Sequence, residues 1–301
     1  MEGKDTTVPN DHAVESVQEL HVDTTGMRRV GQRPGPGDYI ARLWHLRHYM
    51  RYEAAAVVQA QNRGHRLGNI WLILTPLLNG ATYFLIFGVL LQTSRGVENF
   101  IGFLTVGVFM FTFTSRAVAA ISRSLTAKNN VADAFHLPHA VLPLSVVIRE
   151  SLTYFFTLMA MMAAILVIPP HAAVTWRWLL FPAVVLLQVL LVAGLGLLLA
   201  RVVSRVRDVG QLVGFALRVW MYGSGVFYAF DRFVSHPQVL QILELNPMYQ
   251  VLDISRDLLL YGVTPSWSAW AVLASWSVGL AVVGFVVFWQ GEEQYGRNLN
   301  R

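Results

Sequence analysis

The sequence predicts an all-α protein embedded in a membrane, and three observations lead there. Hydrophobic residues make up 54% of the 301-residue chain and charged residues only 14%, where a soluble domain carries about 25% charged. Six apolar runs, at 70–91, 100–122, 144–168, 178–203, 209–230 and 268–289, are each long enough to cross a hydrocarbon core of about 30 Å as a helix. Lys and Arg gather in alternate connections between these runs, the asymmetry of a multi-pass protein with a fixed orientation. Long uninterrupted runs suit helices, which pair their own backbone groups in lipid, and not the short alternating strands of a barrel.

Taken in order, residues 1–38 are polar and rich in Gly and Pro ("GQRPGPGD"), with no apolar core of the kind a signal peptide has. A disordered cytoplasmic tail is expected there. Next, Tyr39, Ile40, Leu43, Leu46, Met50, Ala54 and Val57 fall on one side of a helix wound at 100° per residue, with Arg42, His45, His48, Tyr52 and Glu53 elsewhere. Residues 39–64 therefore read as an amphipathic helix, lying on anionic lipid through its arginines or packed against a partner protein. Arg47 interrupts the apolar stripe and has to snorkel.

The six spans follow. Arg42, Arg47, Arg51, Arg63 and Arg66 precede the first; Arg123 and Lys128 lie between the second and third; Arg201, Arg205 and Arg207 between the fourth and fifth; Arg297 and Arg301 after the sixth. Both termini are thus expected in the cytoplasm, in a plasma (inner) membrane. The connection from Asp231 to Trp267 falls outside and is too long for a structureless loop. Its apolar residues are broken by Asn246-Pro247, so two short helices dipping back into the outer leaflet are expected over 235–261, with Pro247 opening the second.

Several kinds of chemistry are excluded. The chain has no cysteine, hence no disulfide, thiolate ligand or cysteine nucleophile. A net charge of +5 sits beside apolar runs, which favours membrane surface over nucleic acid. No G-x-x-x-x-G-K-[ST] occurs, so this chain does not bind ATP in the P-loop manner, and no H-E-x-x-H or similar cluster marks a metal site. No catalytic residue is assigned and no cofactor is expected in this chain. Asp253 and Asp257, at i and i+4, could serve a membrane glycosyltransferase or be solvated helix charges. The spans read as free of interior Asp and Glu, which disfavours proton- or sodium-coupled transport.

What the spans do carry is Arg218, about 14 Å into the fifth at 1.5 Å per residue. It reads either as a contact for anionic cargo or as a structural arginine paired with a carbonyl or with Glu150. Arg116 lies closer to a helix end. Aromatic residues crowd three spans, and Phe84, Phe87, Phe109, Phe113, Trp220, Tyr222, Phe227 and Tyr228 are candidates for a pathway along which sugar rings slide, with core or interfacial packing as the plainer meaning. Within 235–261, Met248, Tyr249 and Leu252 beside Pro247 offer the bulk and low polarity of a dewetting outer seal. The connection from Ser124 to Pro143, the longest inward one and interrupted by Pro138 and Pro143, is expected to contact a partner.

"RLGNIWLILTPLL" at 66–78, "RVRDVGQLVGFALRVWMYGSGVFY" at 205–228 and "LNPMYQVLDISRDLLLYG" at 245–262 together resemble the permease subunits of type-2 ABC exporters for polysaccharides. The resemblance runs from about Tyr39 to Arg301. It implies six helices per subunit, a symmetric homodimer, an interface helix over 39–64, outer gate helices over 235–261, and two copies of a separate ATPase subunit that holds ATP and Mg. It implies a polyprenyl-diphosphate-linked glycan as cargo. In many relatives a basic residue followed by F-P marks the loop after span two. Here "NNVADAFHLPHAVLPLS" separates Phe135 from Pro138 by two residues, and Asn130, Asp133, Phe135, His136 and Pro138 are the expected ATPase contacts. The sequence is similar to actinobacterial, specifically mycobacterial, members exporting lipid-linked galactan. Teichoic-acid-like, O-antigen-like or other glycolipid cargo fits the same residues.

Overall fold

The computed structural model describes residues 35–62, 70–90, 97, 99–127, 137–230 and 237–298, and every regular element among them is helical. Helix α1 (Pro36–His45) starts with Pro in its first turn and Asp38 beside its amino end, both favourable at a helix start. The last residues of the expected tail are therefore helical. Where one helix over 39–64 is expected, α1 and α2 (Arg47–Asn62) are separated at Leu46. Tyr39, Leu43, Met50 and Ala54 are buried as the apolar stripe requires, whereas Ile40 and Trp44 are exposed. Arg47 lies over the Trp44 ring at 4.8 Å and donates to the Trp44 carbonyl at 3.0 Å.

Among the described residues, four helices are long and apolar enough to span a membrane: Phe100–Ser122 (α4), Val141–Val167 (α6), Trp176–Arg205, whose 3-10 turn leads into α7 (Phe181–Arg205), and Trp267–Gln290 (α11). Between α4 and α6 lies the single turn α5 (Ser124–Ala127). The first expected span is an α-helix over Ile70–Tyr83 (α3) continued by a π-helix over Phe84–Leu90. The fifth is shorter than its apolar run suggests. Its helix, α8 (Val209–Tyr222), has 14 residues, about 21 Å at 1.5 Å per residue, and stops eight residues before the expected end.

Side chains explain where α8 stops. Ser224 donates to the Trp220 carbonyl at 2.7 Å, Tyr228 to the Tyr222 carbonyl at 2.7 Å, and the Asn246 amide to the Gly223 carbonyl at 2.9 Å. Gly225 then turns the chain with φ +66°, a conformation that L side chains rarely adopt. A helix whose terminal carbonyls are all answered in this way can end among apolar neighbours without the cost of unpaired backbone. Beyond the turn lie α9 (Pro237–Glu244) and α10 (Pro247–Arg256), the latter extended by a π turn over Asp257–Tyr261. The chain closes with α12 (Glu292–Asn298).

Helix α4 is central, packing on α3, α6, α7, α8 and α10, while α7 and α11 form the most intimate pair. At their crossing, a Cβ on Gly284 would collide with the Gly194 backbone, and one on Gly194 with Leu280 and Ala281. Small residues let membrane helices approach this closely, where dispersion replaces the hydrophobic effect. A buried polar chain ties four helices together. Tyr154 donates to Gln188 at 2.8 Å, Gln188 donates to the Met110 carbonyl at 3.0 Å and to Thr114 at 2.9 Å, and Thr114 donates to Met248 Sδ at 3.4 Å. Phe113 stacks on Tyr154 with 3.8 Å between centroids.

Candidate functional site

Two groups on the Asn246–Gly262 segment hold it in place. Asn246 caps α10, accepting from the Met248 N–H at 3.0 Å and from Trp220 Nε1 at 2.9 Å while its amide donates to Gly223 and Ser224. Pro247 occupies the first turn, where the missing N–H costs nothing. At the other end of α10, Arg256 is 3% exposed. Its Nη2 lies 3.0 Å from the Gly225 carbonyl, 3.2 Å from that of Val226 and 3.3 Å from that of Phe103, and its guanidinium sits 3.3 Å over the Phe103 ring. Gly107 leaves the room, since a Cβ there would come within 2.8 Å of Nη2. The sequence sets Arg256 beside Asp253 and Asp257, where a charge facing its neighbours or water is the plain expectation, since lipid-facing charge is costly; its burial on carbonyls departs from that. Asp257 is pushed up to about 6, first by partial burial and then by Asp253 one turn away.

The candidate gate and pathway residues separate into groups. Met248 and Leu252 are fully buried in the main core with Phe109, Phe113 and Phe227. Pro247 and Tyr249 are half-buried, with Tyr249 5.5 Å from Phe230 between ring centroids. Phe84, Trp220 and Tyr228 pack against the core at its edge, and Tyr222 is exposed. The side chain of Phe87 lies outside the described residues, as do Asn130, Asp133, Phe135 and His136. Pro138 is half-buried just before α6.

The ionisable residues rearrange the sequence reading most. Helix α6 starts at Val141, which puts Glu150 nine residues inside a span read as free of acidic groups. Glu150 accepts from Arg116 Nε at 2.8 Å and from Arg149 Nε at 3.2 Å. Arg218 is exposed on α8, with the Gly214 carbonyl of its own helix 3.5 Å from Nε. Of the two partners considered for Arg218, Glu150 is thus engaged by other arginines.

At the end of the bundle carrying α1, Glu292 joins three segments. Tyr39 donates to its Oε2 at 2.7 Å, and the His139 N–H and Nδ1 lie 2.7 and 3.1 Å from Oε1, while the Ala140 N–H donates to Tyr39 at 3.3 Å. Burial and the adjacent carboxylate push the Tyr39 phenol up, keeping it the donor. Nothing in the sequence singles out this knot, because its members are 101 to 253 residues apart. Arg205 adds a bond to Gln294 at 2.6 Å.

Apolar helices of spanning length around a central α4, with ionisable side chains paired inside, define a polytopic helical membrane protein. The model of the ABC-2 type transporter family matches residues 54–260. The chain belongs to that family, the match covering more than half of its length. It is 26% identical over 242 residues to the O-antigen export system permease protein RfbA of Myxococcus xanthus, covering 80% of this chain and 92% of the relative. Two permeases of the same description from Klebsiella pneumoniae are 23% identical over 232 residues, covering 77% of this chain and 87% of the relative, and 24% over 222 residues, covering 73% and 83%.

Proposed function

We propose that the chain is the transmembrane subunit of an ATP-driven exporter that moves a polyprenyl-diphosphate-linked polysaccharide out across the plasma membrane. The observation that carries this reading is the likeness, over 73% to 80% of the chain, to three proteins described as O-antigen export permeases. Two copies of this chain form a homodimer with two copies of a nucleotide-binding ATPase subunit, which holds ATP and Mg. Both termini face the cytoplasm, and anionic lipid meets the arginines of α1 and α2. The cargo is cell-wall galactan on the resemblance of the sequence, with an O-antigen-like glycan favoured by the names of these relatives.

The parts have separate tasks. The connection from Ser124 to Pro143 docks on the ATPase, and within it His139-Ala140 is tied through Glu292 and Tyr39 to α1 and α12. A displacement of the docking connection is therefore passed to α6 and to the interface helix together. Asn246 and Arg256 fix the outer segment to α8 and α4, so this segment moves with the helices that flank the pathway. Arg218 and the exposed Tyr222 on α8 face that pathway, and the 235–261 segment closes its outer end through the backbone of α9 and α10 and through Tyr249.

Proteoliposomes holding this chain with its ATPase, oriented with the ATPase outside, test the proposal. Lipid-linked galactan and lipid-linked O-antigen are supplied in the outer leaflet. ATP-dependent protection of one glycan from an external glycosidase is the expected result, and the protected glycan names the cargo. Sugar transfer by this chain alone, without ATPase or ATP, would replace the exporter with a membrane glycosyltransferase.

A further inference from the structure

Helix α4 is buried along most of its surface, and the residues that are not, Ile101, Thr105, Thr112, Ser115, Arg116, Ala119 and Ala120, fall on one side at 100° per residue. Three hydroxyls and an arginine are an unusual outer face for a spanning helix. On α6 the exposed residues include Leu152, Phe155, Phe156, Met159, Leu166 and Val167, the apolar stripe that lipid requires. Arg149 stands at the head of that α6 stripe, three residues before Leu152. The two faces meet at Glu150.

Glu150 is 7% exposed and holds both cations: Arg116 Nε at 2.8 Å from Oε2, and Arg149 Nε and Nη2 at 3.2 and 3.1 Å from Oε1. One carboxylate between two guanidiniums leaves a surplus of one positive charge inside a span. A pin between α4 and α6 needs one arginine only, and the second adds desolvation cost without closing the charge balance. Moreover, the Arg116 side chain is 48% exposed although its helix is mostly buried. It spends only Nε on Glu150, so the two terminal nitrogens, with four of its five N–H donors, have no partner among the described residues.

We infer that Arg116, Arg149 and Glu150 form a binding site for the phosphate headgroup of a membrane lipid. Glu150 orients the two guanidiniums. Arg149 meets the headgroup from the apolar, lipid-type face of α6, and the free fork of Arg116 holds it at the start of the polar face of α4. Planar guanidinium forks match phosphate oxygens two by two, and an anionic phosphate or diphosphate answers the surplus charge. A polyprenyl diphosphate and a bilayer phospholipid share this chemistry; the diphosphate as source rests on the exporter reading above. The site then receives the lipid-linked end of the cargo at the flank of the bundle, while Thr105, Thr112 and Ser115 line the face along which the glycan lies.

The test is native mass spectrometry of the full chain, purified with its ATPase in neutral detergent, with decaprenyl diphosphate or phosphatidylglycerol added as probe. Arg116→Gln is expected to lower retention by about tenfold or more, the worth of a charge-assisted bidentate contact, with Arg116→Lys between the two. The double variant Arg116→Gln/Glu150→Gln removes one charge of each sign and so guards against misfolding; it should lose the probe to the same extent. Selective loss of decaprenyl diphosphate assigns the site to cargo. Loss of phosphatidylglycerol alone, from a wild-type protein that never retains the diphosphate, keeps the phosphate site and removes the cargo. Undiminished retention of both lipids by folded Arg116→Gln and Arg149→Gln overturns the inference and leaves a helix pin, with the exporter reading still to be judged by its own transport assay.

Discussion

Replacing Arg256 with Met keeps the volume of the side chain and removes its donors. The Gly225 and Val226 carbonyls, in a turn outside any helix, then lose the Nη2 that lies 3.0 and 3.2 Å away, whereas the Phe103 carbonyl is inside α4 and has its helical partner. Each buried carbonyl left unanswered costs about 1–3 kcal/mol, and loss of the guanidinium over the Phe103 ring adds about 1–2 kcal/mol. Against this stands the desolvation of a charge at 3% exposure, several kcal/mol, which the variant no longer carries. The balance falls at a net loss of about 2–3 kcal/mol, because Met satisfies neither carbonyl and the turn has no room to reach water. Denaturation of the purified protein by added SDS, followed by Trp fluorescence, measures it. Gly107→Ala enters the same pocket from the opposite wall, its Cβ 2.7 Å from the Val226 carbonyl, so the two variants should be non-additive. An unchanged or higher midpoint for Arg256→Met would refute the reasoning and make the arginine a burden carried for some other purpose.

Gly284→Leu is expected to abolish the folded protein and not to soften it, because its side chain would enter the Gly194 backbone of a neighbouring span; size-exclusion of a fluorescent fusion reports this as aggregate, and a monodisperse peak would sink the packing argument. Asp257 binds its proton more tightly in the folded protein than its ordinary value of 3.8, at about 6, so its contribution is present in full below pH 4 and is lost as the pH rises through 6. After screening at a partly exposed carboxylate the change is about 1 kcal/mol, and Asp257→Asn should remove that part of the pH dependence of the SDS midpoint between pH 4 and 7.5. Met248→Ala, at a fully buried site, should lower the midpoint by about 2–4 kcal/mol without opening an ion leak in proteoliposomes; a leak with unchanged stability would return Met248 to the exit. Glu292→Gln removes the negative acceptor shared by Tyr39 and His139 and should weaken co-purification of the ATPase several-fold while Tyr39→Phe gives a smaller loss, equal yields for both being the contrary result.

How much of this could be read from the sequence depends on how far away each determinant lies. The ends of α4 agree with the apolar run at 100–122, and α11 differs from 268–289 by one residue at each end, because a transition from apolar to polar composition is local information. The end of α8 is different. Apolar and aromatic residues continue to Phe230, and what stops the helix at Tyr222 is an amide from Asn246 and a hydroxyl from Tyr228, neither of which composition can reveal. The Asn-Pro pair did mark the break between α9 and α10, since capping and the proline ring act within one turn. It gave no sign that the same Asn also reaches Trp220.

Charge was the harder case, and the reason is physical. A charged residue in an apolar run carries a large penalty, and sequence states the penalty without naming the partner that offsets it. Arg218 stands out because it is alone in its run, yet it is exposed on its helix. Arg256 sat among Asp253 and Asp257 and looked solvated, yet it is buried on carbonyls contributed by residues 30, 31 and 153 positions away. Glu150 lies nine residues inside α6, which begins at Val141, and its partners come from α4 and from its own helix. In each case depth along the helix was a poorer guide than the neighbouring helix. A charge such as Arg256, whose Nη2 is taken up by three carbonyls of its own chain although its Nε is buried without a partner, closes the fold. One whose donors remain free beside a hydroxyl-lined face, as with Arg116, is available to something that the chain does not itself provide.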